Sequence, residues 1–179
     1  MPSSIKEIQT TSKLCPKVYR YTELGSTNNI ARQIIENEDQ IGFAIVAETQ
    51  TAGQGQGGRF WESPRGGLWI SLAIKPSIEL PYLGMIPILS AVGIANALET
   101  FDIEVMLKWP NDILIPRNLR KVGGILAEGK VTQLSLDYLI IGVGINVNNT
   151  IEQFSLPLQE EITTLFEEFQ KKINLDNLT

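Results

Sequence analysis

The chain has 179 residues, which is enough for one domain with a substantial core and too few for two domains of ordinary size. It is 43% hydrophobic and 20% charged with a net charge of −5, so a broad basic surface for nucleic acid is not expected. It contains no histidine and a single cysteine, Cys15, which excludes histidine-based catalytic triads, histidine-ligated zinc and an internal disulfide.

The amino-terminal part is polar and mixed in charge. We expect residues 1–15 to form a flexible leader and residues 16–179 to form a single domain. Because no apolar core typical of a signal peptide is present, we expect a reducing, cytoplasmic location.

The first predicted elements are a short strand at 18–21 and a helix opened by Gly25 to Asn29, with Ser26 or Thr27 as its N-cap. Further strands are predicted at 43–48, 68–74, 103–109, 112–115, 122–128 and 134–146. The last two are expected to pair antiparallel around Gly129-Lys130. Consecutive strands without regular alternation with helices favour an α+β fold with a mixed or largely antiparallel sheet.

Two further helices are predicted. Residues 80–98 carry no charge, which approaches the length of a membrane span, but prolines and several small or polar residues favour a core helix buried behind the sheet. Apolar residues between Leu158 and Ile173 recur at helical spacing, which predicts one closing helix.

Residues 50–61 hold four glycines within six positions, directly after a predicted strand. Glycines at this density suit close approach of the backbone to a ligand, and successive N–H groups can cradle an anion. Gly53-x-Gly55-x-x-Gly58 matches a dinucleotide fingerprint only as a bare pattern, because Pro64 and two more glycines prolong a loop instead of opening a helix. No Lys-Ser or Lys-Thr pair follows, so a phosphate-binding P-loop is excluded as well. A passive surface loop is the alternative.

Three other clusters have both a functional and a structural interpretation. Residues 108–112 place a lysine, an amide and a carboxylate at a strand end, as phosphates and magnesium require, although an ordinary Pro-Asn turn gives the same pattern. Residues 121–126 set Lys121 beside a glycine pair, which a β-bulge also explains. Residues 142–148 contain glycines inside a predicted buried strand, where backbone or ligand approaches closely.

Taken in order, these clusters resemble the catalytic domain of biotin–protein ligases, which biotinylate carboxylase carrier domains. The resemblance runs from about residue 19 to residue 147. The blocks that carry it are Ser26-Thr27-Asn28, Gln50 with the glycine-rich loop and Trp61-x-Ser63-Pro64, residues 108–112, residues 121–126 with Glu128, and residues 142–147.

The resemblance implies the biotin–lipoate ligase catalytic fold, which is similar to that of class II aminoacyl-tRNA synthetases. It also implies that biotin and ATP, with Mg²⁺, form biotinyl-5′-AMP, which a carrier lysine then attacks. Such chemistry needs positioning and charge stabilisation and no protein nucleophile, in agreement with a chain that lacks histidine.

The resemblance assigns roles to individual residues. The implied catalytic residues are Lys121, which meets the biotin carboxylate and the α-phosphate, Arg59, and Asp112, which also binds the metal. The implied biotin-binding residues are Ser26, Thr27, Asn28, Gln50, Gly53, Gln54, Gly55, Gln56, Lys121 and Gly124. The implied nucleotide-binding residues are Arg59, Trp61, Lys108, Asn111 and Asn146.

One departure from the family pattern concerns charge. The family loop usually reads Gly-Arg-Gly-Arg-x-Gly-Arg, whereas Gln54 and Gln56 replace the first two arginines here and Arg59 alone remains. We expect weaker retention of the adenylate, because each charge-assisted contact to phosphate contributes about 1.5–3 kcal/mol. Compensation by Arg65, Lys108 or Arg120 is the alternative.

A second departure concerns length, since we expect neither the amino-terminal DNA-binding module nor the carboxy-terminal small β domain of the family, and therefore no transcriptional repression. The expected partners are biotin, ATP and a biotin carboxyl carrier domain, without nucleic acid or membrane, and homodimerisation through a sheet edge is expected by analogy. A lipoate–protein ligase and a non-catalytic biotin- or carrier-binding protein are the alternative functions.

Overall fold

One eight-stranded sheet organises the protein, for which a computed structural model describes residues 3–178. The strands are β1 (Ser3–Gln9), β2 (Lys17–Leu24), β3 (Phe43–Gln50), β4 (Leu68–Ile74), β5 (Met106–Lys108), β6 (Asp112–Leu114), β7 (Lys121–Thr132) and β8 (Ser135–Ile145). The helices are α1 (Thr27–Glu38), α2 (Ile86–Glu99), α3 (Leu156–Gln159) and α4 (Leu165–Phe169). The strand order is β1-β2-β3-β4-β8-β7-β6-β5, with β2 and β3 parallel and the other neighbouring pairs antiparallel. The predicted α+β fold with a mixed, largely antiparallel sheet is confirmed.

The amino-terminal segment differs from the expected flexible leader. Residues 3–9 form the edge strand β1, which pairs antiparallel with β2 from Ser3 opposite Glu23 to Gln9 opposite Lys17. An edge strand is held by backbone hydrogen bonds along one side. An edge strand therefore needs no continuous apolar run, and the polar sequence of residues 3–9 did not indicate a strand.

The apolar residues of the sheet face two helices. Ala31 and Ile35 of α1 pack with residues of β3, β4 and β8 in one cluster of the core. A larger cluster on the α2 side includes Leu98 of α2, Ile113 of β6 and Val122 of β7. Runs of apolar residues mark strands with little exposure, which is why β3 and β4 were recognisable from the sequence.

The helix predicted at 80–98 is present but is not a buried core helix. A 3₁₀ turn occupies Leu80–Met85 and α2 follows, with only Ile86, Ala91 and Leu98 buried. Apolar residues on its outer side are exposed, namely Tyr82, Met85, Ile88, Leu89 and Val92. The helix packs mainly against β7 and β5, so a narrow stripe of its surface is buried. By length and composition alone, Leu80–Glu99 is also long and apolar enough to cross a membrane. One such helix is weak evidence for a membrane-spanning segment.

Two other expectations about the carboxy-terminal half are wrong. The β7–β8 turn lies at Gln133, which takes the left-handed φ of 56°, and Gly129 stays in the strand opposite Leu139. The single closing helix is replaced by α3 and α4, because the residues between them form a parallel bridge in which Ile162 pairs with Lys121. Thr164 then caps α4 by accepting the backbone N–H of Glu167 at 3.1 Å.

Cys15 is buried at 5% exposure, and its thiol donates to the carbonyl of Phe43 at 3.3 Å. Burial raises the pKa of this thiol from 9.0 to about 11. At pH 8 this cysteine is therefore held almost entirely as the unreactive thiol in the folded protein. We expect negligible reaction with a disulfide reagent at pH 8 until guanidinium unfolds the chain, and equal rates in both states would contradict this.

The pKa of the Cys15 thiol is higher in the folded state than in the unfolded state. The thiol therefore makes its full contribution to the free energy of unfolding below pH 9, and this contribution is lost as the pH rises towards 11.

Candidate functional site

A cavity of about 630 Å³ lies where the amino terminus of α1, the glycine-rich loop, β6, β7, β8 and the segment after β8 meet. The residues that the sequence analysis assigned to the site all line this cavity except Gly53. They are Ser26, Thr27, Asn28, Gln50, Gln54, Gly55, Gln56, Arg59, Trp61, Lys108, Asn111, Asp112, Lys121, Gly124 and Asn146. Residues up to 120 positions apart in the chain thus share one concave surface.

The glycine-rich loop folds as a small hairpin of residues 53–61, called here the glycine hairpin. The backbone N–H of Trp61 donates to the carbonyl of Gly53 at 2.9 Å, and the backbone N–H of Gly55 donates to the carbonyl of Arg59 at 2.8 Å. Gly57 and Gly58 form the tip, with φ values of 69° and 76° that favour glycine. The side chains of Gln56 and Arg59 are exposed at the rim of the cavity. This arrangement suits a lid over a bound ligand.

Gly53 lies outside the cavity wall because it forms the neck of the glycine hairpin. A Cβ at this position would lie 2.3 Å from the backbone oxygen of Trp61 and 2.9 Å from Oγ of Ser63. Both distances are far inside van der Waals contact. The close crossing of the two hairpin arms therefore requires glycine here.

The amino terminus of α1 is held by a side chain from β3. Ser26 is the N-cap residue but makes no side-chain cap bond. Instead, Oε1 of Gln50 accepts the backbone N–H of Thr27 at 2.8 Å, and Nε2 of Gln50 donates to Oγ of Ser63 at 2.8 Å. Both ends of the Gln50 amide are thus engaged, which fixes its orientation at the cavity wall.

Lys121 supplies a half-buried positive charge at the start of β7. Its Nζ lies 2.6 Å from Oδ1 of Asp112 and 5.0 Å from the centre of the Trp61 ring. Gly124 leaves room for these two side chains, since a Cβ at this position would lie 3.3 Å from the Trp61 ring and 3.4 Å from the Lys121 side chain. An ammonium group held between a carboxylate and an aromatic face is well placed to stabilise a ligand anion.

Contacts with the backbone of β7 fix the polar residues at the strand end 108–112. Nδ2 of Asn111 donates to the carbonyl of Ile125 at 2.7 Å, and Asp112 lies opposite Gly124. Lys108 is exposed at the cavity rim. Within residues 3–178 no group of three or more histidine, cysteine, aspartate or glutamate side chains could hold a metal ion. One carboxylate is still compatible with Mg²⁺, which often takes one or two carboxylates together with substrate phosphates.

Asn146 presents an unpaired acceptor to this site. Its residue exposure is 2%, and Nδ2 donates to the carbonyl of Thr163 at 3.0 Å. Oδ1 is buried without a hydrogen-bond partner in the described structure. An unsatisfied buried acceptor costs free energy, so this oxygen is a locally unfavourable feature of the cavity wall.

The segment after β8 contributes residues that the sequence analysis did not assign to the site: Phe154, Leu158, Glu160 and Glu161. No local pattern marks them, because they reach the cavity only through the bridge between Ile162 and Lys121. Residues 118–120 also line the cavity, and Arg117 of the same turn pairs with Glu168 of α4. Burial raises the pKa of Glu168, but hydrogen bonds from Thr163 and Asn118 and the Arg117 guanidinium outweigh this and lower it overall.

The cations considered as substitutes for the missing arginines divide into two groups. Lys108 and Arg120 line the cavity. Arg65 does not, and it pairs with Glu48 instead. Compensation by Arg65 is therefore not supported in this structure.

Comparisons with known proteins agree on one family. The model of the biotin/lipoate A/B protein ligase family matches residues 22–146. A bifunctional ligase/repressor BirA of Bacillus spizizenii is 37% identical over 153 residues, which cover 84% of this chain and 46% of that protein. A biotin protein ligase of Aquifex aeolicus in complex with biotin and ATP superposes with a TM-score of 0.72 at 34% identity, over 90% of this chain and 65% of the other. A biotin protein ligase of Leishmania major in complex with biotinyl-5-AMP has a TM-score of 0.74 at 29% identity, over 90% and 69% of the two chains. The chain spans about half the length of the curated relatives that it matches, at 46% for the protein of Bacillus spizizenii.

Proposed function

The chain belongs to the biotin/lipoate A/B protein ligase family, and on this premise we propose that it is an ATP-dependent biotin–protein ligase. It activates biotin to biotinyl-5′-AMP and transfers the biotinyl group to a lysine of a biotin carboxyl carrier domain. The observation that carries the proposal is a single cavity of about 630 Å³ with a hydrogen-bonding wall at Thr27 and Gln50 and a half-buried cation at Lys121. Its volume lies within the usual range of small-molecule sites.

In the first step a carboxylate oxygen of biotin attacks the α-phosphorus of ATP, a new P–O bond forms and pyrophosphate leaves. Lys121 stabilises the negative charge that the carboxylate and the α-phosphate bring together. In the second step the carrier amine attacks the acyl carbon, the bond to AMP breaks and an amide forms. Neither step needs a protein nucleophile, so orientation and electrostatic stabilisation carry the catalysis.

We assign the remaining residues in line with this scheme. Ser26, Thr27 and Gln50 hold the cyclic urea of biotin, and the glycine hairpin closes over the adenylate and excludes water. Asn111 and Asn146, which both line the cavity, face the nucleotide. Asp112 would hold a magnesium ion that accompanies ATP, which supplies charge neutralisation at the phosphates. The buried, free Cys15 fits a reducing cytoplasm.

The first test is biotin-dependent exchange of pyrophosphate into ATP, with lipoate as the parallel acid. We expect exchange with biotin and none with lipoate. Exchange with lipoate alone would assign the protein to the lipoate branch of the family. Tight binding of biotin without any exchange would make it a non-catalytic binder.

Replacement of Gln56 by arginine should slow the release of biotinyl-5′-AMP by about tenfold or more, because a charge-assisted contact to phosphate adds about 1.5–3 kcal/mol. Gln56 is exposed at the tip of the glycine hairpin and lines the cavity. Gln33→Arg on the exposed side of α1 adds the same charge outside the cavity and serves as the control. Stopped-flow release of the adenylate measures the effect, and equal rates in wild type and Gln56→Arg would contradict it.

A further inference from the structure

Two large apolar side chains stand at the opening of the cavity with most of their surface in water. Among the exposed large hydrophobic residues in the described part of the chain, only Phe60 and Leu119 also line the cavity, and each is 62% exposed. Ile125 and Ile162, which are apolar residues of the same wall, are 2% and 8% exposed. A ligand held inside the cavity contacts wall residues of this second kind, whereas Phe60 and Leu119 lie at its rim.

Phe60 is carried by the paired part of the glycine hairpin. Its backbone forms an antiparallel bridge with Gln54, and the backbone N–H of Gly55 donates to the carbonyl of Arg59 at 2.8 Å. The ring is therefore presented by a hydrogen-bonded segment. A side chain on a backbone that is already fixed loses less conformational entropy on docking than one on a free loop.

Leu119 is held at the rim against the preference of its own backbone. Its φ of 59° lies in the left-handed region, which is unfavourable for a leucine. Its N–H donates to the carbonyl of Ile115 at 2.9 Å, and the neighbouring Asn118 donates to Oε1 of Glu168 on α4 at 2.9 Å. The turn is thus tied in place with an exposed leucine where asparagine or glycine would cost less. A contact made by the leucine side chain with another molecule would account for this choice.

We propose that Phe60 and Leu119 form a docking rim for the folded carrier domain that delivers the acceptor lysine. This inference rests on the proposed function and deepens it by placing the protein partner. In the proposed reaction the acyl carbon of the adenylate lies inside the cavity. The amine of a carrier lysine therefore reaches it only when the carrier surface around that lysine rests on the rim. Apolar anchors framed by polar residues are typical of such protein–protein contacts, in which aromatic side chains are enriched.

The two half-reactions separate docking from chemistry. Phe60→Ser and Leu119→Asn each remove one apolar side chain of the rim. We expect each variant to lower kcat/KM for the carrier domain about tenfold, as truncation of a contributing interface residue does. Biotin-dependent exchange of pyrophosphate into ATP should stay at the wild-type rate. Because asparagine adopts the left-handed conformation more easily than leucine, Leu119→Asn should not lower the melting temperature, which excludes misfolding as the cause.

A small acceptor provides the second readout. Hydroxylamine captures the acyl group of the adenylate without a protein surface, so we expect hydroxamate formation at the wild-type rate in both variants. Leu134→Asn is the matched control, because Leu134 is 90% exposed in the β7–β8 turn and lies outside the cavity wall. Its transfer of biotin to the carrier should match the wild type.

A wild-type kcat/KM for the carrier in either rim variant would overturn the inference. Slower exchange or slower hydroxamate formation would overturn it as well, because the side chains would then act on the adenylate and not on the carrier. Titration of a ¹⁵N-labelled carrier domain with the protein, without biotin or ATP, decides the docking independently of catalysis. The dissociation constant should rise about tenfold in each rim variant, and an unchanged constant contradicts the inference. A wild type without exchange would refute the proposed function, and this titration would still decide the docking.

Discussion

Replacement of Lys121 by methionine is expected to slow biotin-dependent adenylate formation by about 10²- to 10³-fold, the usual effect of removing one preorganised group that stabilises transition-state charge. Lys121 is half-buried, with its Nζ 2.6 Å from Asp112 and its ammonium over the Trp61 ring. Methionine keeps much of the length of the side chain and removes the charge, so the wall of the cavity stays filled. Single-turnover formation of the adenylate at saturating ATP and biotin measures the effect.

The control for this prediction lies on the same strand. Lys130 is exposed near the far end of β7 and lies outside the cavity wall, so Lys130→Met removes an equal charge away from the site. We expect its rate to match the wild type. A Lys121→Met protein with more than about a tenth of the wild-type rate would contradict a role of Lys121 in charge stabilisation.

Replacement of Gly53 by alanine is expected to weaken biotin binding by up to about 100-fold, because overpacking at a rigid contact costs about 1–3 kcal/mol. The added methyl would lie 2.3 Å from the carbonyl oxygen of Trp61, which is backbone and cannot rotate away. The neck of the glycine hairpin must open, and the hydrogen bond from Trp61 N–H to Gly53 at 2.9 Å is lost with it. Trp61 then moves away from Lys121.

Titration of biotin and limited proteolysis of residues 54–60 together test this prediction. The expected result is weaker binding with faster cleavage in the hairpin and little change in the melting temperature of the remainder. Gly93→Ala on α2 is the matched control, since the added Cβ has open space around it and alanine favours a helix. Unchanged affinity in Gly53→Ala would show that the hairpin takes no part in binding biotin.

The local features that could be predicted from sequence are those with a local cause. The β3 run of buried apolar residues and the dense glycines after it mark a strand that ends in a close backbone crossing. Residue types alone placed Lys121 and Asp112 among the candidates, and their separation of 2.6 Å could not be read from the chain. The resemblance to a known family joined these blocks into one site.

The features that escaped prediction depend on contacts between distant segments. Apolar spacing from Leu158 to Ile173 fits one helix as well as two, and the backbone pairing of Lys121 with Ile162 decides for two. The uncharged stretch of α2 shows no polar face, so periodicity could not reveal that half of the helix is exposed. The contact between Asn28 and Glu128 spans 100 residues, and only the fold brings their side chains together.

Transfer of biotin to a carrier lysine tests the central claim most directly. The protein is incubated with labelled biotin, ATP, magnesium and a biotin carboxyl carrier domain in a single turnover, and AMP release and labelled carrier are measured together. The account predicts that AMP and biotinylated carrier form together, and that the labelled carrier is abolished when the carrier lysine is replaced by arginine. Bound biotin with neither AMP nor labelled carrier would contradict it.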